Sequence, residues 1–300
     1  MSSQRRAELF LLSVTIVWGS TFVITKVILE ESTPLFYTGV RFSLAATIVL
    51  ALFFRRMLTI PATTVKKGGV LGLLLFIGFI LQTIGLQYTT ASKSAFFTGL
   101  LVVLTPIVHI CVQHLFHLER KPLMLGNVLG VLCAATGLYF LTSPTGAEFN
   151  IGDALSIGCA LCFAMYIVYL DSASSEPDKL QLTFVQFVLC GALGFATGLI
   201  FEDAHFSTSG GFIAELLYLT IFATVITMWI QNRFQGETTP TRAAVIFAFE
   251  PVVAAIFAYF VRGEALGILG IIGGAIILTG LLLSEFSDSM PLLRMNLTEA

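Results

Sequence analysis

Four ionisable side chains fall deep inside long apolar stretches of this chain: Lys26, Arg41, His109 and Glu250. Charged groups are costly at the centre of a bilayer, and those retained there normally face a bundle interior or a water-filled cavity. Glu250 is the sharpest candidate. It precedes Pro251, whose missing N–H frees a carbonyl on the preceding turn, and a lone carboxyl at that depth can exchange a proton or pair with a cationic group on a solute. The alternative is a carboxyl permanently paired or capped within its helix. Arg41 stays charged at any pH and suits either a carboxylate clamp or a structural role on backbone carbonyls. Lys26 lies near the far end of its stretch, where its stem can snorkel to a cavity mouth. His109 fits a cavity or proton-relay position. His114 and His117 follow at offsets of five and three, which do not place all three on one helix face, so no metal site is expected. Asp153 and Glu215 sit too close to the ends of their stretches to count with these four.

Neutral groups define the rest of a candidate pocket. Trp18 and Thr21 recur at helical spacing with Val14 and Thr25 in the first stretch, and Phe163, Tyr166 and Tyr169 answer in the sixth. Such stripes serve packing as readily as binding. Gln82, Gln87, Trp229, Gln231 and Asn232 add hydrogen-bonding groups, and Thr105 lies one residue before Pro106. So few fixed charges suit a modest, partly apolar solute. An amino acid or small aromatic metabolite fits better than a nucleotide, whose phosphates need a basic cluster that the stretches lack. No cofactor and no nucleic-acid partner is expected. H-E-x-x-H, G-x-S-x-G and G-x-x-x-x-G-K-[ST] are all missing, which argues against an enzyme and against an ATP-driven pump. All five cysteines fall within apolar stretches, so a disulfide framework is not expected; Cys159-x2-Cys162 reads as packing.

The elements that must carry these groups follow from composition. The 300 residues are 56% hydrophobic and only 11% charged, with a mean hydropathy of +0.92; charged residues supply about a quarter of a soluble domain. Ten apolar stretches of roughly 20 residues, each able to cross a ~30 Å hydrocarbon core as a helix, can be marked off. They lie near 7 to 29, 34 to 54, 69 to 88, 94 to 116, 123 to 142, 151 to 170, 180 to 201, 211 to 232, 240 to 261 and 264 to 286. The first is too long for a signal-peptide core and reads as a retained helix.

The chain also contains itself twice. A shift of 145 lays Thr38-Gly39-Val40-Arg41-Phe42 on Thr183-Phe184-Val185-Gln186-Phe187, Thr105-Pro106 on Glu250-Pro251, and Glu119 on Glu264. Gly130-x5-Thr136-Gly137 recurs as Gly273-x5-Thr279-Gly280, two residues out of phase. The expected units are a first repeat over 1–145, a second over 146–286 and a cytoplasmic tail over 287–300. Five helices per half is an odd number, so the second half is inverted relative to the first, an architecture whose halves can rock about a site between them. With the N-terminus in the cytoplasm, Arg5, Arg6, Arg55, Arg56, Lys66, Lys67, Arg120, Lys121, Lys179, Arg233, Arg242 and Arg294 collect on that side, against Lys93 and Arg262 opposite. That excess sets the expected orientation, both termini inside.

Trp18-Gly19-Ser20-Thr21-Phe22, Arg41-Phe42, Gln82, Tyr88 and the Pro-x12-Glu spacing (Pro106 to Glu119, Pro251 to Glu264) together resemble the drug/metabolite transporter superfamily, EamA-type, over roughly residues 7 to 286. The resemblance implies an all-α integral membrane fold of ten helices, two inverted five-helix repeats around a central cavity lined by helices one, three, four, six, eight and nine. It also implies a secondary transporter working by alternating access in a bacterial inner membrane. Export of small metabolites is the expected direction, with proton coupling through Glu250; an importer, a facilitative carrier or exchanger, and a non-transport sensor are the alternatives. The halves depart from one another where Trp18 becomes Phe163 and Arg41 becomes Gln186, an asymmetry that gives a small solute one pose rather than two equivalent ones. Pro106 and Pro251 are candidate hinges. Gly126-x3-Gly130, Gly194-x3-Gly198 and Gly270-x3-Gly274 let helices approach closely, within the chain or between two copies in a homodimer.

Overall fold

The computed structural model describes residues 3–115, 124–142, 149–262 and 267–285. These form α1 (Ser3–Ile28), α2 (Pro34–Met57), α3 (Ala62–Tyr88), α4 (Ala91–Gly99), α5 (Leu101–Leu115), α6 (Leu125–Thr142), α7 (Ile151–Ser172), α8 (Lys179–Phe201), α9 (Gly210–Thr220), α10 (Thr227–Phe234), α11 (Pro240–Phe247), α12 (Glu250–Arg262) and α13 (Ile268–Glu285). Grouped end to end, α4 with α5, α9 with α10, and α11 with α12, they make ten spans. Eight are long and apolar enough to cross a membrane, while α6 and α13 are shorter apolar helices of 18 residues, about 27 Å at 1.5 Å per residue. Among the described residues the only strand-like pairing is a single bridge from Ser32 to Phe206. Large apolar side chains such as Ile200, Phe201 and Phe260, 70%, 75% and 78% exposed, cover the outside, as lipid contact requires.

Local chemistry fixes where the helices start. Asn150 and Asp153 form a reciprocal capping box at α7, Asp178 accepts the amides of Leu180 and Gln181 at α8, and Ser209 accepts that of Phe212 at α9. Thr90 and Thr239 cap α4 and α11 in the same way, accepting the amides of Lys93 and Arg242.

Besides a kink in α2 at Phe53 (φ −129°, ψ 29°), three spans are interrupted where the apolar runs read as continuous. The ninth stops at Phe247 and restarts at Glu250. Pro251 then occupies the second position of α12, where a missing N–H leaves no bond unmade. The fourth breaks between Gly99 and Leu101, and Pro106 lies inside α5. The eighth carries a π-helical turn over Ile221–Ile226. The hinge candidates Pro106 and Pro251 thus follow the two breaks rather than coincide with them.

The halves are interleaved rather than side by side. α1 packs on α10, α11 and α12, whereas α7 packs on α3, α4 and α5, so the first span of each half lies with the third and fourth of the other. Glycines set two further antiparallel contacts across the halves. A β-carbon on Gly137 would lie 2.6 Å from the Gly273 carbonyl oxygen, and one on Gly39 2.4 Å from the Phe195 amide nitrogen, which brings α6 onto α13 and α2 onto α8 at backbone distance. On α6 and α13 the close pairs are Gly130 with Gly280 and Gly137 with Gly273, a seven-residue spacing. Gly274, expected to pack closely, meets only Val252 at 3.7 Å.

Candidate functional site

A cavity of about 60 Å³ lies where the two interleaved groups of spans meet. It is room for roughly four waters at the 10–15 Å³ that each needs. Its walls are built from corresponding positions of the two halves. Trp18 and Thr21 on α1 match Phe163 and Tyr166 on α7, at the 145-residue shift. In the third and fourth spans the shift is 149, anchored by the caps Thr90 and Thr239 and by the restarts at Leu101 and Glu250. At that shift Phe79 matches Met228, Gln82 matches Gln231, Thr98 matches Phe247 and Leu101 matches Glu250, and all eight line the cavity. The counterpart of Glu250 is therefore Leu101, not Thr105 as the uniform shift had it.

Glu250 begins α12 and faces the cavity. Among the described residues no donor lies within hydrogen-bonding distance of its carboxyl group, and no cation within ion-pair distance. The alternative of a carboxyl paired within its helix is not what this geometry shows.

Arg41 reaches the cavity from α2, a span not expected to line it, and is only 3% exposed. Its Nε donates to Thr224 Oγ1 at 2.7 Å, with Tyr37 Oη at 3.3 Å and the Ala223 carbonyl at 3.4 Å as weaker acceptors. Its guanidinium lies 5.2 Å from the Phe79 ring centre, within cation–π range. The π-turn explains the acceptor. The Thr227 amide turns back to the carbonyls of Phe222 and Thr224, which leaves Ala223 O for the Trp18 indole N–H at 3.2 Å as well as for Arg41. Thr227 Oγ1 also accepts from that indole at 3.1 Å. A π-turn at a functional position is a common association, and α3, its counterpart, runs without one.

Tyr166 is pinned on the other side: its hydroxyl donates to Gln186 Oε1 at 2.7 Å, while Asn232 donates through Nδ2 to Thr183 at 2.8 Å. Gln186 stands at the position of Arg41 but is fully buried and does not line the cavity, so among the described residues the fixed cation has no matching group on the other side.

Of the residues singled out in the sequence, Trp18, Thr21, Arg41, Gln82, Phe163, Tyr166, Gln231 and Glu250 are brought together at the cavity. Others are not, among them Trp229, Thr105, His109, Lys26 and Pro106. Trp229 is 39% exposed and points away; Met228 and Gln231 hold the inner face, and one residue along a helix turns the side chain by about 100°. Thr105 is fully buried and bonds back to the Leu101 carbonyl at 2.7 Å. His109 lies 3.0 Å from Gln113 Nε2 on the same helix. Lys26 donates to the Thr89 carbonyl at 2.6 Å, at the end of the bundle opposite the N-terminus. Pro106 does not line the cavity, whereas Pro251 follows Glu250 directly. His117, Glu119, Glu264 and the tail lie outside the described residues. Phe79, Met228, Thr98 and Phe247 escaped sequence reading, although Phe79 and Met228 sit three residues before Gln82 and Gln231 and so share their helix face.

The model of the EamA-like transporter family matches the chain twice, over residues 5–143 and 150–286. An uncharacterised transporter of Archaeoglobus fulgidus is 34% identical over 277 residues, covering 92% of this chain and 85% of that protein. The uncharacterised inner membrane transporter YedA of Escherichia coli is 25% identical over 281 residues, covering 90% and 89%. A protein of known crystal structure, 18% identical, superposes with a TM-score of 0.76 over 98% of this chain and all of that one, a likeness of fold.

Proposed function

Because the chain belongs to the EamA-like transporter family, we propose that it is a secondary transporter exporting small zwitterionic solutes, amino acids with apolar or aromatic side chains first among them. It is a multi-pass membrane protein with ten spans in two five-span repeats. The reading rests on one observation: a guanidinium and a carboxyl without a partner among the described residues face one cavity whose other walls are aromatic, aliphatic and amide groups. Arg41 takes the solute carboxylate, and three of its five N–H groups are already held by the protein. Glu250 takes the ammonium group or, when the solute leaves, a proton. Trp18, Phe79 and Phe163 receive the side chain. A cavity of about 60 Å³ is far below the roughly 300 Å³ of a typical ligand pocket, so the walls separate to admit the solute. The excess of Lys and Arg at the N-terminal end supports a cytoplasmic position for that end.

Thermal unfolding of the purified protein in detergent tests this. The expected result is stabilisation by aromatic or aliphatic amino acids that weakens when either charged end is removed from the ligand. Stabilisation by nucleotide sugars or quaternary amines instead would reject the zwitterion reading.

A further inference from the structure

Two buried ion pairs occupy corresponding positions at opposite ends of the bundle, and neither belongs to the cavity. At the N-terminal end Arg242 Nε lies 3.1 Å from Glu8 Oε1, with the side chains 6% and 3% exposed. Thr238 Oγ1 donates to the same oxygen at 3.1 Å and Gln4 Nε2 at 3.0 Å. At the other end Lys93 Nζ lies 2.7 Å from Asp153 Oδ2, with the side chains 16% and 0% exposed, and Thr89 Oγ1 donates to Oδ1 at 2.7 Å. The correspondence extends to the sequence. Glu8 and Asp153 are 145 apart, on the first spans of the two halves, and Thr89-Thr90-x2-Lys93 recurs 149 residues on as Thr238-Thr239-x2-Arg242. In each case a threonine bonds the acid, the next threonine caps a helix, and the base sits in that helix's first turn.

The helices so anchored are α4 and α11, the short outer halves of the two broken spans. α11 packs against α1, α5 and α7 at the N-terminal end, and α4 against α7, α12 and α1 at the other. Each runs from its ion pair inward to the break at the cavity, where Thr98 and Phe247 form part of the wall. We propose that α4 and α11 are the two plugs of the transport path and that Lys93–Asp153 and Arg242–Glu8 are their latches, one releasing while the other holds. Both are closed here, in keeping with a cavity too small for a solute. The acids differ in detail: both oxygens of Asp153 have partners, whereas Glu8 takes all three of its donors on Oε1 and its Oε2 has no hydrogen-bond partner among the described residues. This inference rests on the transport reading, but its residues touch no solute.

The test uses the full chain in vesicles of known orientation, with Thr21→Cys as a cavity reporter. Its labelling by a membrane-impermeant maleimide is measured from each side, after subtracting the labelling of the chain without it. Glu8→Gln should raise labelling from the N-terminal side about tenfold, the factor for losing one charge-assisted hydrogen bond, without raising it from the other. Asp153→Asn should do the reverse, and pairing Glu8→Lys with Arg242→Glu should return labelling towards that of the unmodified latch. If Glu8→Gln does not fold, Arg242→Lys keeps the charge, loses the Nε contact and should shift labelling the same way by less. Folded variants that shift neither side, or both the same side, overturn the latches while leaving transport standing. A reporter never reached from either side in the otherwise unaltered chain overturns the transport reading itself.

Discussion

Replacing Arg41 with methionine removes the one fixed cation that lines the cavity among the described residues, while keeping a long apolar stem. Three of the five guanidinium N–H groups are held by Thr224, Tyr37 and Ala223, so two remain for a solute. A hydrogen bond to a charged group contributes about 1.5–3 kcal/mol, and losing even one weakens binding roughly 10- to 150-fold. Arg41→Met also strips a partner from Thr224 and destabilises the protein, so a single affinity would mix two effects. Comparing an aromatic amino acid with its decarboxylated amine on the same variant cancels the shared loss. Binding followed by thermal shift or calorimetry should show the amino acid weakened by at least tenfold and the amine by less than threefold. Equal losses for both ligands would refute the assignment of Arg41 to a carboxylate.

Two further outcomes follow from packing and charge. Adjacent glycines on α13 separate close approach from helix propensity: a β-carbon on Gly273 would meet the Leu141 amide nitrogen at 2.3 Å and the Gly137 carbonyl at 2.5 Å, whereas Gly274 has ordinary space. Gly273→Ala should therefore cost about 1–3 kcal/mol and Gly274→Ala should be neutral or stabilising by up to ~1 kcal/mol, read as opposite shifts in Tm. At the N-terminal end Glu176, outside the spans, accepts from the Thr64 hydroxyl at 2.6 Å and pairs with Lys67 at 3.0 Å, which hold its carboxyl below the usual carboxylate range, Thr64 first. A depressed folded-state pKa adds stability above the unfolded value and loses it as pH falls through the folded one. Glu176→Gln should lower Tm at pH 7, and the gap from the unaltered protein should close as pH drops below about 4; a gap independent of pH would contradict this.

The spans, their number and the duplication were legible because apolar length and spacing are properties of the sequence alone. The cavity was half legible for the same reason. Trp18, Phe163, Tyr166 and Gln82 stand out by type and period, and Glu250 and Arg41 by the cost of charge in lipid. What escaped depended on backbone register. No residue type announces the π-turn at Ile221–Ile226, yet it frees the Ala223 carbonyl for Trp18 and Arg41. A uniform shift of 145 hid the 149-residue spacing of the third and fourth spans, and with it both the pairing of Glu250 with Leu101 and the repeated Thr-Thr-x2-base motif. Asp153 lies near a helix end, where the cost of charge in lipid singles out nothing, and that end is where it forms its ion pair.

The most direct test of the account is amino-acid transport in proteoliposomes under an imposed proton gradient, for the unaltered chain and for Glu250→Gln. Gradient-driven movement that Glu250→Gln abolishes, with solute exchange at zero gradient preserved, is the predicted result. Gradient-driven movement of equal rate in both proteins would contradict a coupling role for Glu250, and no movement of any zwitterionic solute by the unaltered chain would contradict the proposed substrate class.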